Sequence, residues 1–441
     1  MPLAFSELRL EKSGRNENRA LKTVLACDMF TAAYYVMPLL FFLPFVAQRG
    51  QWIAAAFVPL GCIIPFAVMP LLYALVHRFD PLLFGRYHLF MPISAFLAAF
   101  SFVEFWSADD GALGAVRIAL GFSVLTIAAV TYRYCSFSVR VRLTDCGIAK
   151  PSPVMLIFSA VGGAAGVGAV IGFYFYDPDT VFINAAYVVA GVCVILAMVQ
   201  YLTSFYYIPK LSGKRVQSVK SVFRAFFGGL NVRLFVSSAL AVAAFSTVLA
   251  LAVSVCSELP SYAFTSVAAV AAGGFIGGSF LCVKLVKRRS RLLTAVMIGL
   301  LVVSAALFAL TQMFVLLDSV PIYSLVASAA LCGVGTALAF RQMRLRFLSI
   351  KPHVTSGVAH ILIELACGAG TAIAFAAAVA VGGAVAANGG DMMLYVYGFA
   401  SAVVLGIASV VTSRIRRSAP PMPDELSYEP TAAVHDIGAA G

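Results

Sequence analysis

The chain has 441 residues, 61% of them hydrophobic and 11% charged, with 31 Lys and Arg against 19 Asp and Glu for a net charge of +12. A soluble domain of this size fills its core with far less apolar material, so the composition excludes an ordinary water-soluble enzyme and makes a bilayer the main solvent. In hydrocarbon every backbone polar group must be satisfied within the chain, and stretches of about twenty apolar residues achieve this as transmembrane helices.

Residues 1–21 are polar and mixed in charge, without the basic, apolar and small-residue succession of a cleaved signal peptide, and read as a cytoplasmic N-terminal segment. Twelve apolar stretches follow, at 22–46, 52–76, 89–107, 114–135, 153–176, 181–203, 233–257, 263–283, 292–314, 321–340, 354–386 and 392–413. They predict an all-α membrane protein with bundles of six helices at 22–205 and 233–413, joined by a linker at 206–232. Lys210 to Arg233, in and beside that linker, holds six basic residues and no acid. Its Val216, Val219, Val222, Phe223, Phe226 and Phe227 fit either an amphipathic helix on the inner leaflet or a solvated connector. The segment 414–441 is Pro-rich, with no periodic apolar pattern, and reads as a disordered cytoplasmic tail.

A charge of +12 raises nucleic acid as a partner until its distribution is read. With the N-terminus cytoplasmic, 29 of the 31 Lys and Arg fall in cytoplasmic loops, tails or adjacent helix ends, leaving Arg49 outside and Arg117 within the fourth span. The opposite loops carry Asp109, Asp110, Asp177, Asp179, Glu258, Asp318 and Asp391. This is the positive-inside pattern, so the expectation is a multi-pass protein of the bacterial inner membrane with both termini cytoplasmic and no nucleic-acid partner. The nine cysteines are scattered without metal-ligand spacing, and no metal or cofactor is implied.

Internal echoes support two repeats. Arg133, Arg140, Arg142, Lys150 and Pro151 at and beyond the end of the fourth span are matched by Arg341, Arg344, Arg346, Lys351 and Pro352 at and beyond the end of the tenth. The fifth span carries Gly162 and Gly166, and the eighth carries Gly273, Gly274, Gly277 and Gly278, four-residue spacings that let helix backbones approach closely.

At the head of the fourth span, Arg117-Ile-Ala-Leu-Gly121 resembles the R-x-x-x-G motif of proton-driven drug antiporters in the major facilitator superfamily. Ala160 to Gly168 resembles their Gly-rich motif without its Gly-Pro pair. Gly85-Arg86, and Lys284, Lys287, Arg288, Arg289 and Arg291, resemble remnants of the superfamily's two loop motifs. The resemblance implies pseudo-two-fold bundles, a monomer, alternating access of a small solute, a cavity lined by helices one, four, seven and ten, and a meeting of helices five and eight across the halves. It makes Tyr34, Tyr35, Ser237, Thr247, Ser328 and Thr336 cavity candidates, a lining for a neutral or amphipathic solute, although the same residues also suit plain helix packing.

Ionisable groups inside a membrane are costly and therefore informative. Ten residues from the start of the eleventh span, Glu364 lies ~15 Å deep, with His360 one turn earlier on the same face. The two are candidates for coupling to protons; the alternative is a protonated Glu364 hydrogen-bonded to a neighbouring helix. Asp28 and Arg117 are further coupling candidates, each ~9 Å from opposite membrane faces and thus ~12 Å apart along the normal, too far for a static pair. Asp28 also suits an anchor of the first helix end, and Arg117 suits snorkelling to Asp109 or Asp110. Glu104 reads as interfacial.

The functional expectation is proton-coupled export of a small organic solute, with proton-coupled nutrient uptake, or a ligand sensor built on the same bundle, as alternatives. No metalloprotease, nucleophile-elbow or Walker A motif is present, so neither an enzyme nor an ATP-driven pump is expected.

Overall fold

The computed structural model describes residues 30–48, 60–78, 86–108, 111–145, 154–177, 179–207, 232–257, 261–285, 290–316, 322–349, 356–388 and 392–413. Among them, after a 3₁₀ turn at Phe30–Ala32, stand twelve α-helices. The first six are α1 (Ala33–Gln48), α2 (Leu60–Arg78), α3 (Arg86–Trp106), α4 (Ala112–Asp145), α5 (Val154–Tyr174) and α6 (Val181–Tyr207). The second six are α7 (Val232–Ser257), α8 (Ser261–Leu285), α9 (Ser290–Leu316), α10 (Ile322–Ser349), α11 (Ser356–Asn388) and α12 (Met392–Ser413). Eight have described windows long and apolar enough to cross a membrane, and the other four hold the shorter apolar stretches Ala33–Phe42, Ile63–Val76, Ala160–Tyr174 and Val396–Val411. Asp28, Asp109, Asp110, the apolar stripe of the linker and the C-terminal tail lie outside the described residues, as does the side chain of His360.

Two helices run well past their predicted ends: α4 continues to Asp145 beyond 135, and α10 to Ser349 beyond 340. Hydropathy registers only the apolar crossing, and says nothing of where a helix ends once it has left the hydrocarbon. Arg133 therefore sits twelve residues inside its helix instead of at its end.

The contacts repeat between halves. The pairings α2 with α4, α3 with α4, α3 with α6, α1 with α5, and α5 with α6 recur as α8 with α10, α9 with α10, α9 with α12, α7 with α11, and α11 with α12. Across the halves α1 meets α7, and α5 meets α8 as α2 meets α11. The result is two six-helix bundles related by a pseudo-two-fold. Helix ends joined by the basic connections form one end of the assembly, the basic end; Asp177 and Asp179 mark the opposite, acidic end.

Helices five and eight do meet, but their glycines point elsewhere. A Cβ on Gly166 would stand 2.9 Å from Ala33 Cβ of α1, and one on Gly278 would stand 2.8 Å from the Val334 backbone of α10. A Cβ on Gly274 would likewise run into the Ala330 carbonyl of α10, while Gly273 and Gly277 face open space and Gly162 is buried. The small residues thus serve close packing within each half. Gly121 does the same for α4, lying against the Phe105 backbone of α3. The α5–α8 crossing is instead aromatic, with Tyr174 stacked on Phe264 at 4.7 Å.

Candidate functional site

A buried ion pair lies where α1, α4 and α11 meet. Glu364, 7% exposed on α11, accepts two hydrogen bonds from Arg133 Nη1 of α4, at 3.0 Å to Oε1 and 2.9 Å to Oε2. Arg133 Nε donates to Thr31 Oγ1 at 3.2 Å, and its guanidinium lies 4.7 Å above the Tyr35 ring of α1. Each charge removed from water is costly alone, so the pair stands only because both partners are present and further hydrogen-bonded or ring-stacked. It joins the two halves directly.

Arg133 was hidden in the sequence by its company. It stands at the start of a basic run and reads as a topology charge; the signal that separates it from that run is the unmatched acid at Glu364, which needs a cation at a similar depth.

Around the pair, α4 and α11 run antiparallel in close register. Towards the acidic end the contacts move from Arg133 and Glu364 to Thr126, whose Cγ2 a Cβ on Gly368 would meet at 3.2 Å, and then to Phe122 and Phe375 at 6.0 Å. At that last level rings bridge the halves: Phe42 to Phe375 at 4.4 Å and Phe41 to Phe264 at 5.6 Å. They belong to a larger aromatic core with Phe45, Phe105, Trp106 and Phe182. Towards the basic end a second apolar core again draws on both halves, including Met69 and Tyr73 of α2, Met343 of α10 and Ile361 of α11. Hydrocarbon and rings thus seal the acidic side of the ion pair, and mixed apolar packing surrounds its basic side.

A buried polar chain supports α4 beside the pair. Tyr132 donates its hydroxyl proton to Gln200 Oε1 of α6, and Gln200 Nε2 donates to Ser136 Oγ at 2.7 Å. This ties α4 to α6 on the face next to Arg133.

The other sequence candidates fall into distinct places. Arg117 pairs with Glu104 of α3 at 2.7 Å, both about one-third exposed, at the acidic end and away from Glu364. Tyr35 belongs to the ion-pair site, whereas Tyr34 turns to the interior of its own half, edge-on to Phe102 at 5.0 Å. Thr247 and Thr336 donate back to Ala243 O and Cys332 O of their own helices, both at 2.8 Å, as buried membrane hydroxyls commonly do. Ser328 donates to Ser304 O of α9 at 2.8 Å, and the Ser237 carbonyl accepts from Ser409 of α12 at 2.7 Å. These last two bond between helices of the second half. Between α7, α9, α10 and α12 there is a cleft of about 40 Å³ lined by Phe245, Met297, Leu301, Gln342 and Ser409. It has room for roughly one water and not for a metabolite.

The described residues thus form a helical membrane bundle of two six-helix halves with a buried ion pair between them. No protein-family model matches the chain, and no curated protein sequence matches it. Among solved structures it is similar to a mutant form of the nucleoside transporter NupG, with 15% identity, a TM-score of 0.64, and coverage of 90% of this chain and 100% of that one. It is also similar to a bacterial homologue of the iron transporter ferroportin in an outward-facing state, with 14% identity, a TM-score of 0.55 and coverage of 90% and 99%. A third likeness is to a bacterial homologue of the human lysosomal transporter Spinster, inward-facing and occupied, with 12% identity, a TM-score of 0.52 and coverage of 90% and 95%. At such identities the likeness is one of fold.

Proposed function

We propose that this chain is a secondary transporter that moves a small, neutral or amphipathic organic solute by alternating access, with proton movement through Glu364 driving export. The observation that carries the reading is the Arg133–Glu364 pair, because it is buried, ionisable and made between the halves that must part. A proton on Glu364 removes its negative charge and with it the reason for Arg133 to stay; α4 and α11 are then held at that level only by weaker contacts. Loss of the proton restores the pair and closes the seam. His360, one turn earlier on α11, is a second titratable group on the same helix face, suited to tuning the exchange. The hydroxyl and aromatic residues near the halves' meeting surfaces suit a solute without net charge. The similarity of fold to NupG, a nucleoside transporter, places nucleosides on the panel of solutes to test.

Vesicles containing the purified protein, with an imposed pH gradient and a solute identified by ligand-dependent thermal shift, test the reading. Glu364→Gln is expected to abolish gradient-driven transport while solute binding survives in the fraction that folds. Undiminished gradient-driven transport by this variant overturns the coupling role. No solute movement by the wild-type protein, with ligand binding intact, favours a sensor.

A further inference from the structure

The basic end of the second half contains an arginine that the mechanism does not use. Arg341 lies in α10, within the described membrane-crossing window Ile322–Met343, and its Nε is buried without a hydrogen-bond partner. Nineteen residues after Ile322, at 1.5 Å each, it stands ~28 Å along the helix, where a ~30 Å hydrocarbon core gives way to headgroups. Its sequence counterpart Arg133 is matched by a carboxylate; among the described residues Arg341 is not. Of the helices packed on α10, α7, α8 and α9 contain no Asp or Glu, and the one acid of α11, Glu364, is paired with Arg133. They add positive charge instead, with Lys284 in the last turns of α8, Arg291 in the first turn of α9, and Arg344 and Arg346 further along α10.

Direction on the helix separates Arg341 from the solute path. It follows Val334 by seven residues and Ala337 by four, and both of those face Gly278 of α8, so Arg341 stands on the α8 side of α10. On the α8 surface nearby, Leu281 is about half exposed, as residues in contact with lipid chains are. A guanidinium beside an apolar, outward-facing side chain, at headgroup depth on helices whose sequence is basic there, has the setting of a lipid phosphate site.

We propose that Arg341 binds the phosphodiester of an anionic lipid, held at the basic ends of α8 and α10. The guanidinium fork supplies the donors that a phosphate oxygen pair requires, and Leu281 receives an acyl chain. The lipid then neutralises the second half where Glu364 neutralises the first. This site is independent of the solute and of proton coupling.

Purified protein in phosphatidylcholine nanodiscs, with and without phosphatidylglycerol, provides the test, with retained lipid counted by native mass spectrometry. Wild type is expected to retain phosphatidylglycerol. Arg341→Gln is expected to retain it about fivefold less, the factor that one basic contact with an anionic membrane supplies. Arg341→Lys should fall between the two, and Arg233→Gln, which removes an exposed cation of α7, should match wild type. Equal retention by wild type and Arg341→Gln overturns the site, and so does an equal loss in Arg233→Gln, which assigns the effect to diffuse surface charge. In detergent, stabilisation by inorganic phosphate equal to that by phosphatidylglycerol overturns the lipid assignment in favour of a soluble anion. Should Arg341→Gln fail to fold, a photoreactive phosphatidylglycerol on the wild-type protein is expected to label α8 or α10, and labelling confined to other helices overturns the proposal.

Discussion

Arg133 of α4 and Glu364 of α11 stand 2.9 Å apart, 231 residues distant in the chain and on opposite halves of the molecule. Removing either partner leaves the other as an uncompensated buried charge, which costs about 3–5 kcal/mol where such pairs have been broken singly. Arg133→Gln and Glu364→Gln should each lower thermal stability markedly. The double variant should recover most of the loss, because it buries no net charge. A thermal melt of the three variants in one detergent gives the coupling directly; additive losses would mean that the pair contributes little to holding the closed form.

A lone acid in lipid would behave otherwise: replacing it relieves a desolvation cost and should barely disturb the fold. The sequence made Glu364 legible because one carboxylate among apolar residues is conspicuous, and the twelve helices were legible because hydropathy measures membrane crossing. Arg133 was not, because basic residues at the end of a span are expected for topology and only three-dimensional depth separates one from its neighbours. The same limit applied to the glycines. Four-residue spacing announces close approach, yet the partner helix depends on rotation, and Gly166 faces α1 while Gly274 faces α10. Arg117 shows a third case: the motif drew attention to it, but its nearest acid is Glu104 on the adjacent helix, a pairing that follows from packing and not from sequence distance.

The rotation of α5 and α8 can be measured by crosslinking. In a background without native cysteines, a cysteine pair at Tyr174 and Phe264 should form a disulfide, since those rings stack at 4.7 Å across the halves. A pair at Gly166 and Gly274 should not, because each faces a different helix of its own half. The reverse pattern would show that α5 and α8 meet on other faces.

Two adjacent glycines of α8 should respond oppositely to one methyl group. Gly274→Ala places a Cβ against the Ala330 carbonyl and must push α8 and α10 apart, so a drop in melting temperature is expected. Gly273→Ala meets nothing within 4 Å and gains helix propensity of up to about 1 kcal/mol, so it should be neutral or stabilising. Equal effects at both positions would remove the close α8–α10 contact as the explanation.

The aromatic bridge makes the last prediction. Phe42 and Phe375 meet at 4.4 Å, Phe122 approaches Phe375 at 6.0 Å, and Phe41 meets Phe264 at 5.6 Å, so rings from α1 and α4 close on rings from α8 and α11 at the acidic end. Thr371 lies one turn below Phe375 on α11 and is 3% exposed, behind this barrier. Thr371→Cys in a cysteine-free background should therefore react slowly with a membrane-impermeant thiol reagent applied from the acidic side. Adding Phe375→Ala removes the ring shared by α1 and α4 and should raise the labelling rate several-fold. Adding Phe375→Leu, which fills more of the space, should raise it less. A purely structural role predicts another outcome: Phe375→Ala would lower the melting temperature, as loss of a packed ring does by about 3–5 kcal/mol, with labelling of Cys-substituted Thr371 unchanged in the folded fraction. Unchanged labelling would remove Phe375 from the barrier and leave it as a packing residue.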